Sequence, residues 1–159
     1  MKYKRRTKME DEKTNTQIVA HEALCYVNDT CDYLCDNAMV GTDQKVVAKS
    51  VLKSMRTHLS IPAIFATLRV MRRLQEMVSY AADAYDDGEV AFKPKKDKKC
   101  SVNFTMRKIY THLVKRVYKQ FGCHMEDMEV EFNPYRNISA MLDNIIQYIA
   151  RKQFGIRIN

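Results

Sequence analysis

The chain predicts an all-α fold of about five helices, and three observations carry that expectation. Only 4 Gly and 3 Pro occur in 159 residues, so turn signals are scarce and long helices are favoured. Hydrophobic residues make up 46%, enough for a core, and the 10 Met among them are good helix formers that pack adaptably. Apolar side chains recur at spacings of three and four through most of the chain. The length suits one compact domain or two very small ones.

Residues 1–15 read as a basic, flexible tail. Lys2, Lys4, Arg5, Arg6 and Lys8 precede any apolar pattern, and the segment has no apolar stretch of the kind a secretory signal needs. A first helix is expected from about Thr16 to Met39. Ile18, His21, Leu24, Cys25, Asn28, Cys31, Cys35 and Met39 mark its inner face, and Gly41 marks its stop. Thr42 or Asp43 can cap a second helix, Gln44 to Leu59, with Val47, Ala48, Val51, Leu52 and Met55 as its apolar side. A third helix, Pro62 to Tyr85, starts on a proline tolerated in the first turn. Its inner positions are Ile64, Leu68, Met71, Leu74, Met77, Val78 and Ala81, and Arg69, Arg72 and Arg73 form a basic cluster on its middle turns.

The stretch around KPKKDKK breaks this pattern. Residues 89–100 read as a basic linker between a unit at 16–88 and a second unit at 101–159. The second unit opens with an amphipathic helix from about Thr105 to Phe121. Met106, Ile109, Tyr110, Leu113, Val117 and Phe121 share one face, and Arg107, Lys108, Lys115, Arg116 and Lys119 are expected on the other. Met128–Phe132 alternates apolar and acidic residues, as a short strand does. Asn133-Pro134 is a cap and first-turn proline for a last helix carrying Ile138, Met141, Leu142, Ile145, Ile146 and Ile149, which Gly155 ends. The closing GIRIN has strand-like alternation.

Cysteines at helical spacing raise the question of a metal or redox site. His21, Cys25, Cys31 and Cys35 fall within about a 120° arc of one helix but spread over ~21 Å of its length, so they cannot converge on one ion. Burial as a core wall fits the preference of the thiol better. The alternative is an i,i+4 pair, Cys31 and Cys35, completed by Cys100, Cys123, His112 or His124. The chain has no glycine-rich phosphate loop and no nucleophile elbow, and the acidic run Glu126–Glu131 lacks the glycine and spacing of a calcium loop. The expectation is a non-enzyme with no cofactor, no bound metal and no small-molecule substrate. No apolar run approaches the ~20 residues that a bilayer span needs, so no membrane partner is expected. Five Cys point to reduced thiols inside a cell or virion. A net charge of +8 points to a polyanionic partner, above all nucleic acid.

The order of elements resembles two core histones fused by a linker, the pattern of the doublet histones of large DNA viruses. YVNDTCDYLCDNA is similar to the central helix of the histone that carries an extra C-terminal helix. QKVVAKSVLKSMRTHL is similar to that histone's second loop and third helix, and PAIFATLRVMRRLQEMVSYAADAY to the extra helix. In the second unit, VNFTMRKIYTHLVKR resembles the partner histone's first helix, MEVEFNP its first loop, ISAMLDNIIQYIARKQF its central helix and GIRI its second-loop strand. The pattern is truncated: the first unit lacks a first helix, and the second stops before a third. At the position of the partner's acidic surface patch, Asp143 retains one carboxylate, whereas Tyr148 and Arg151 replace others.

The resemblance implies two histone-fold-like units joined by very short strand pairings, Glu129–Glu131 against Lys45–Val47. It implies packaging of double-stranded DNA by contacts to the backbone, with other histone-like chains or a self-copy as further partners and a nuclear or virion location. The residues expected at DNA are Arg5, Arg6, Lys45, Arg69, Arg72, Arg73, Arg107, Lys108, Lys115, Arg116 and Lys119. The competing expectation is a viral helical-bundle interaction protein, either a host-defence antagonist or a minor virion component, whose basic patches are incidental. An apolar groove would favour that competitor.

Overall fold

The structure, a computed structural model, describes residues 8–88, 101–128 and 133–158. Five α-helices account for most of it: α1 (Lys8–Val40), α2 (Gln44–His58), α3 (Ile61–Asp86), α4 (Val102–Phe121) and α5 (Pro134–Ile149). The all-α expectation holds. Arg5, Arg6, the 89–100 linker, Cys100 and the Glu129–Glu131 strand lie outside the described residues.

Most boundaries follow from cap chemistry. The Asp43 carboxylate accepts from the Lys45 amide at 2.8 Å and starts α2. The Ser60 hydroxyl accepts from the Ala63 amide at 3.3 Å, and Pro62 occupies the first turn of α3. Ser101 caps α4 through the Phe104 amide at 3.0 Å. Asn133 caps α5 through the Arg136 amide at 3.2 Å. Each cap satisfies one amide that the first helical turn leaves without a partner. Gly122, at φ 68°, takes the left-handed conformation that closes α4, a geometry costly for any residue with a Cβ. After Ile149 the last helix widens into one π turn, Ala150–Phe154, before Gly155 ends it.

Three expectations need correction. The helix starts at Lys8 instead of near Thr16, so residues 8–15, expected in the tail, are helical; Lys, Glu and Met are good helix formers even without an apolar stripe. Lys45–Val47 is helical, because the Asp43 cap commits the chain to α2 and turns Val47 fully inward. Residues Ile156–Ile158 form no strand either, and among the described residues there is none. Instead the Ile158 amide and carbonyl bond the Gln147 side chain, which takes the place of a neighbouring strand.

One continuous core runs through both halves of the chain. α5 packs against α3, α2 and α1, and α4 packs chiefly against α1. The two halves therefore exchange helices: α2 of the first lies on α5 of the second, and α4 of the second lies on α1 of the first. Ile145, Ile146, Leu113, Met106, Leu68 and Met71 are wholly or almost wholly buried within it. Ile18 and Phe121, expected inside, are about half exposed, since each lies outside the stretch of its helix that meets a neighbour.

Polar contacts fix the register between halves. Arg72 reaches Asp143, Gln75 donates to the Ser139 carbonyl at 3.2 Å, and the Ser79 and Ser139 hydroxyls are 2.6 Å apart. Asn133 donates to the Ala82 carbonyl and to Asp86, each at 2.8 Å. Those bonds, with Arg136 beside Asp86, hold the Asp86 carboxyl below its usual range. No described helix is long and apolar enough to cross a membrane.

Candidate nucleic-acid interface

α4 carries five Lys and Arg, and its packing sorts them into two rows. Val102, Met106, Ile109, Leu113 and Val117 are buried and fix the rotation of the helix. That rotation turns Lys108, His112 and Arg116, four residues apart, toward α1. Opposite them α1 presents Asn28, Asp32 and Asp36, also four apart. Lys108 Nζ donates to the Asn28 carbonyl at 2.9 Å. His112 Nε2 lies 2.8 Å from Asp36 and its Nδ1 lies 3.6 Å from Asp32, and Arg116 Nε is 3.4 Å from Asp36.

Lys108 and Arg116 were expected on the outer face with Arg107, Lys115 and Lys119. The structure corrects this: both are half-buried and face α1. The signal was present in the sequence as two matching ladders of polar residues, legible only once α4 is known to lie on α1.

The outward row is different. Lys115 and Lys119 are exposed and Arg107 is half-buried, and none makes an ion pair among the described residues. Arg107, Thr111 and Lys115 line a shallow groove of about 340 Å³ together with Phe104, Lys108, His112 and Asp32. Arg107, Lys108 and Lys115 line it against one carboxylate, Asp32, an excess of positive charge suited to phosphate oxygens.

Of the α3 cluster, Arg69 and Arg73 are exposed. Arg72 is not available in the same way. Its guanidinium bonds Asp143 at 2.9 Å and the Ile158 carbonyl at 3.0 Å, and its side chain is 17% exposed. Asp143, expected as a remnant of a surface acidic patch, is spent on this pair. Lys45 is exposed in the first turn of α2, at the mouth of a second cleft that also holds Arg151 and Arg157. Neither arginine was singled out as a binding residue beforehand; the signal was the RKQFGIR run, read as a helix end followed by a strand, with Arg151 as a departure from the acidic patch.

The thiols take structural positions. Cys31 and Cys35 are buried, and Cys25 is half-buried with its Sγ 3.4 Å from His21 Nε2. Burial pushes the Cys31 thiol up to about 11 and raises Cys35 well above its usual value. Among the described residues, no group of three or more His, Cys, Asp or Glu is placed to hold a metal ion.

The chain matches no protein-family model, no curated protein and no solved structure.

Proposed function

We propose that the protein binds double-stranded DNA through its backbone and compacts it in the manner of a fused pair of histones. The observation that carries this reading is the division of α4. Lys108, His112 and Arg116 are consumed by α1, while among the described residues Arg107, Lys115 and Lys119 have no carboxylate partner. Unpaired cations along one side of a rigid helix match a regularly spaced phosphate chain and read no base edges. The exchange of helices between halves supports the histone-like part of the reading. α1 and α5, matched by resemblance to the two central helices, pack on each other, and each also carries a shorter helix from the other half. The nuclear or virion location and the histone-like partners belong to the same proposal.

The competing interaction-protein reading draws on exposed Ile61 and Tyr80, and on Phe65, whose ring meets Phe154 edge-on at 5.4 Å. Against it, both clefts carry more cations than carboxylates among the described residues that line them.

The experiment is fluorescence anisotropy with two duplexes of equal length and unrelated sequence. The expected result is the same affinity within about threefold, as backbone binding requires. A preference of about 1,000-fold for one sequence is the signature of base readout and would refute the reading.

A further inference from the structure

A cleft of about 1150 Å³ lies between the start of α2, the end of α5 and the C-terminal segment. Three cations from three separate elements line it: Lys45 from α2, Arg151 from the π turn and Arg157 from the segment after it. All three are exposed, and none makes an ion pair among the described residues. Among the described residues the one carboxylate in the lining is Asp43, which is engaged by the Lys45 amide as the cap of α2. At other places the fold pairs cations with carboxylates, Arg72 with Asp143, Arg116 with Asp36 and Arg136 with Asp83 and Asp86. Here it gathers cations without doing so.

The position of Arg157 is built by its neighbour. The Ile158 carbonyl accepts from Arg72 Nη2 at 3.0 Å and from the Gln147 side chain, and the Ile158 amide donates back to Gln147 Oε1 at 3.3 Å. These bonds anchor the segment against α3 and α5 and hold Arg157 at the rim. The rest of the lining includes the side-chain amides of Gln44, Asn144 and Gln147 and the ring of Tyr148.

We propose that this cleft binds a phosphate monoester carried on a nucleotide, at a site separate from the α4 row. Three cations against one carboxylate leave a surplus of two positive charges. A monoester carries roughly −1.5 to −2 near pH 7, whereas each backbone diester carries a single charge, so the cleft complements the monoester. The Tyr148 ring gives a base a surface to stack on, and Gln44 Nε2 and Asn144 Oδ1, the amide atoms that the Asn144–Gln44 and Gln147–Ile158 bonds leave over, give it edges to bond, which a bare phosphate does not use. The volume accommodates a ligand of that size. The nucleotide comes either as a free molecule or as the phosphorylated end of a strand, and both present the same group.

The test uses the full chain and isothermal titration with AMP, cyclic 3′,5′-AMP, adenosine and inorganic phosphate. AMP and cyclic AMP share a base and differ in monoester against diester. The expected order places AMP about tenfold or more tighter than each of the other three. Lys45→Gln with Arg157→Gln, both exposed sites that leave the core intact, reduces AMP affinity about tenfold with the circular dichroism spectrum unchanged. A 5′-phosphorylated pentanucleotide that binds more tightly than AMP assigns the strand end, and one that binds more weakly assigns the free nucleotide. Equal affinity for AMP and cyclic AMP, or unchanged AMP affinity in the double variant, overturns the site. Inorganic phosphate binding as tightly as AMP, or a phosphoserine peptide binding more tightly, overturns the nucleotide assignment. None of these outcomes depends on duplex binding, so the site and the proposed DNA function stand or fall separately.

Discussion

Arg72 Nη1 lies 2.9 Å from Asp143 Oδ1, and this pair ties α3 of the first half of the chain to α5 of the second. The guanidinium is mostly buried, and its Nε has no hydrogen-bond partner among the described residues, so the site depends on the bonds it does make. Asp143→Ala is expected to destabilise the fold by about 1 kcal/mol. The figure is modest because the carboxylate is half exposed and screened, and because the Ile158 carbonyl still accepts from Arg72. Urea unfolding of parent and variant measures it, and an unchanged midpoint would show that the pair contributes nothing.

The α4–α1 ladder makes a second prediction. His112 sits against both Asp32 and Asp36, so His112→Ala removes the middle rung and leaves two carboxylates without their shared partner. A loss of about 1 kcal/mol is expected, with non-additive coupling to Asp36→Ala in a double-mutant cycle. Thr111→Ala, one position away on the groove side, is expected to change stability by less than about 0.5 kcal/mol. Equal losses at the two positions would place the ladder wrongly.

The thiols give a prediction in pH. Cys31 and Cys35 titrate above the ordinary thiol value in the fold because burial disfavours the thiolate. The unfolded chain therefore releases these protons first. The stability from keeping them neutral is fully present below about pH 9 and is lost as pH rises toward 11. Thermal melts between pH 8 and 11 should fall more steeply for the parent than for Cys31→Ala with Cys35→Ala. With iodoacetamide at pH 8, Cys25 and Cys123, both half-buried, should react before Cys31 and Cys35. Rapid labelling of Cys35 in the folded protein would contradict its placement.

Ile145 is wholly buried at the centre of α5, where that helix meets α1, α2 and α3. Ile145→Asp places an unpaired carboxylate in the core, at a cost on the order of 4 kcal/mol or more, a large part of the stability of a domain this size. Because one core serves both halves, the whole chain is expected to lose its cooperative melt. A variant that melts with the parent would move the core elsewhere.

Much of this fold was legible because its caps are written in the sequence. Asp43, Ser60 with Pro62, and Asn133 with Pro134 mark helix starts by side-chain chemistry that acts locally. The start of α1 was not legible. Residues 8–15 carry charge without apolar periodicity, and helical propensity alone gives no boundary. The short strands were misread for a related reason: KVV was expected as a strand from the resemblance and GIRI from its alternation, but a cap commits the first to helix and the Gln147 side chain engages the second. At the candidate interface, periodicity gave the apolar face of α4 but not the fate of its cations. Lys108 and Lys115 look alike in sequence, and only the position of Asn28 on α1 separates them.

The most direct test of the central claim is the salt dependence of duplex DNA binding. With about five phosphates neutralised, log K should fall against log salt with a slope of about −4 to −5. Replacing Arg107, Lys115 and Lys119 together by Ala should flatten that slope by roughly 2 to 3 while the protein stays folded. A folded protein with no measurable duplex binding at low salt, or a triple variant with the parent slope, would contradict the account.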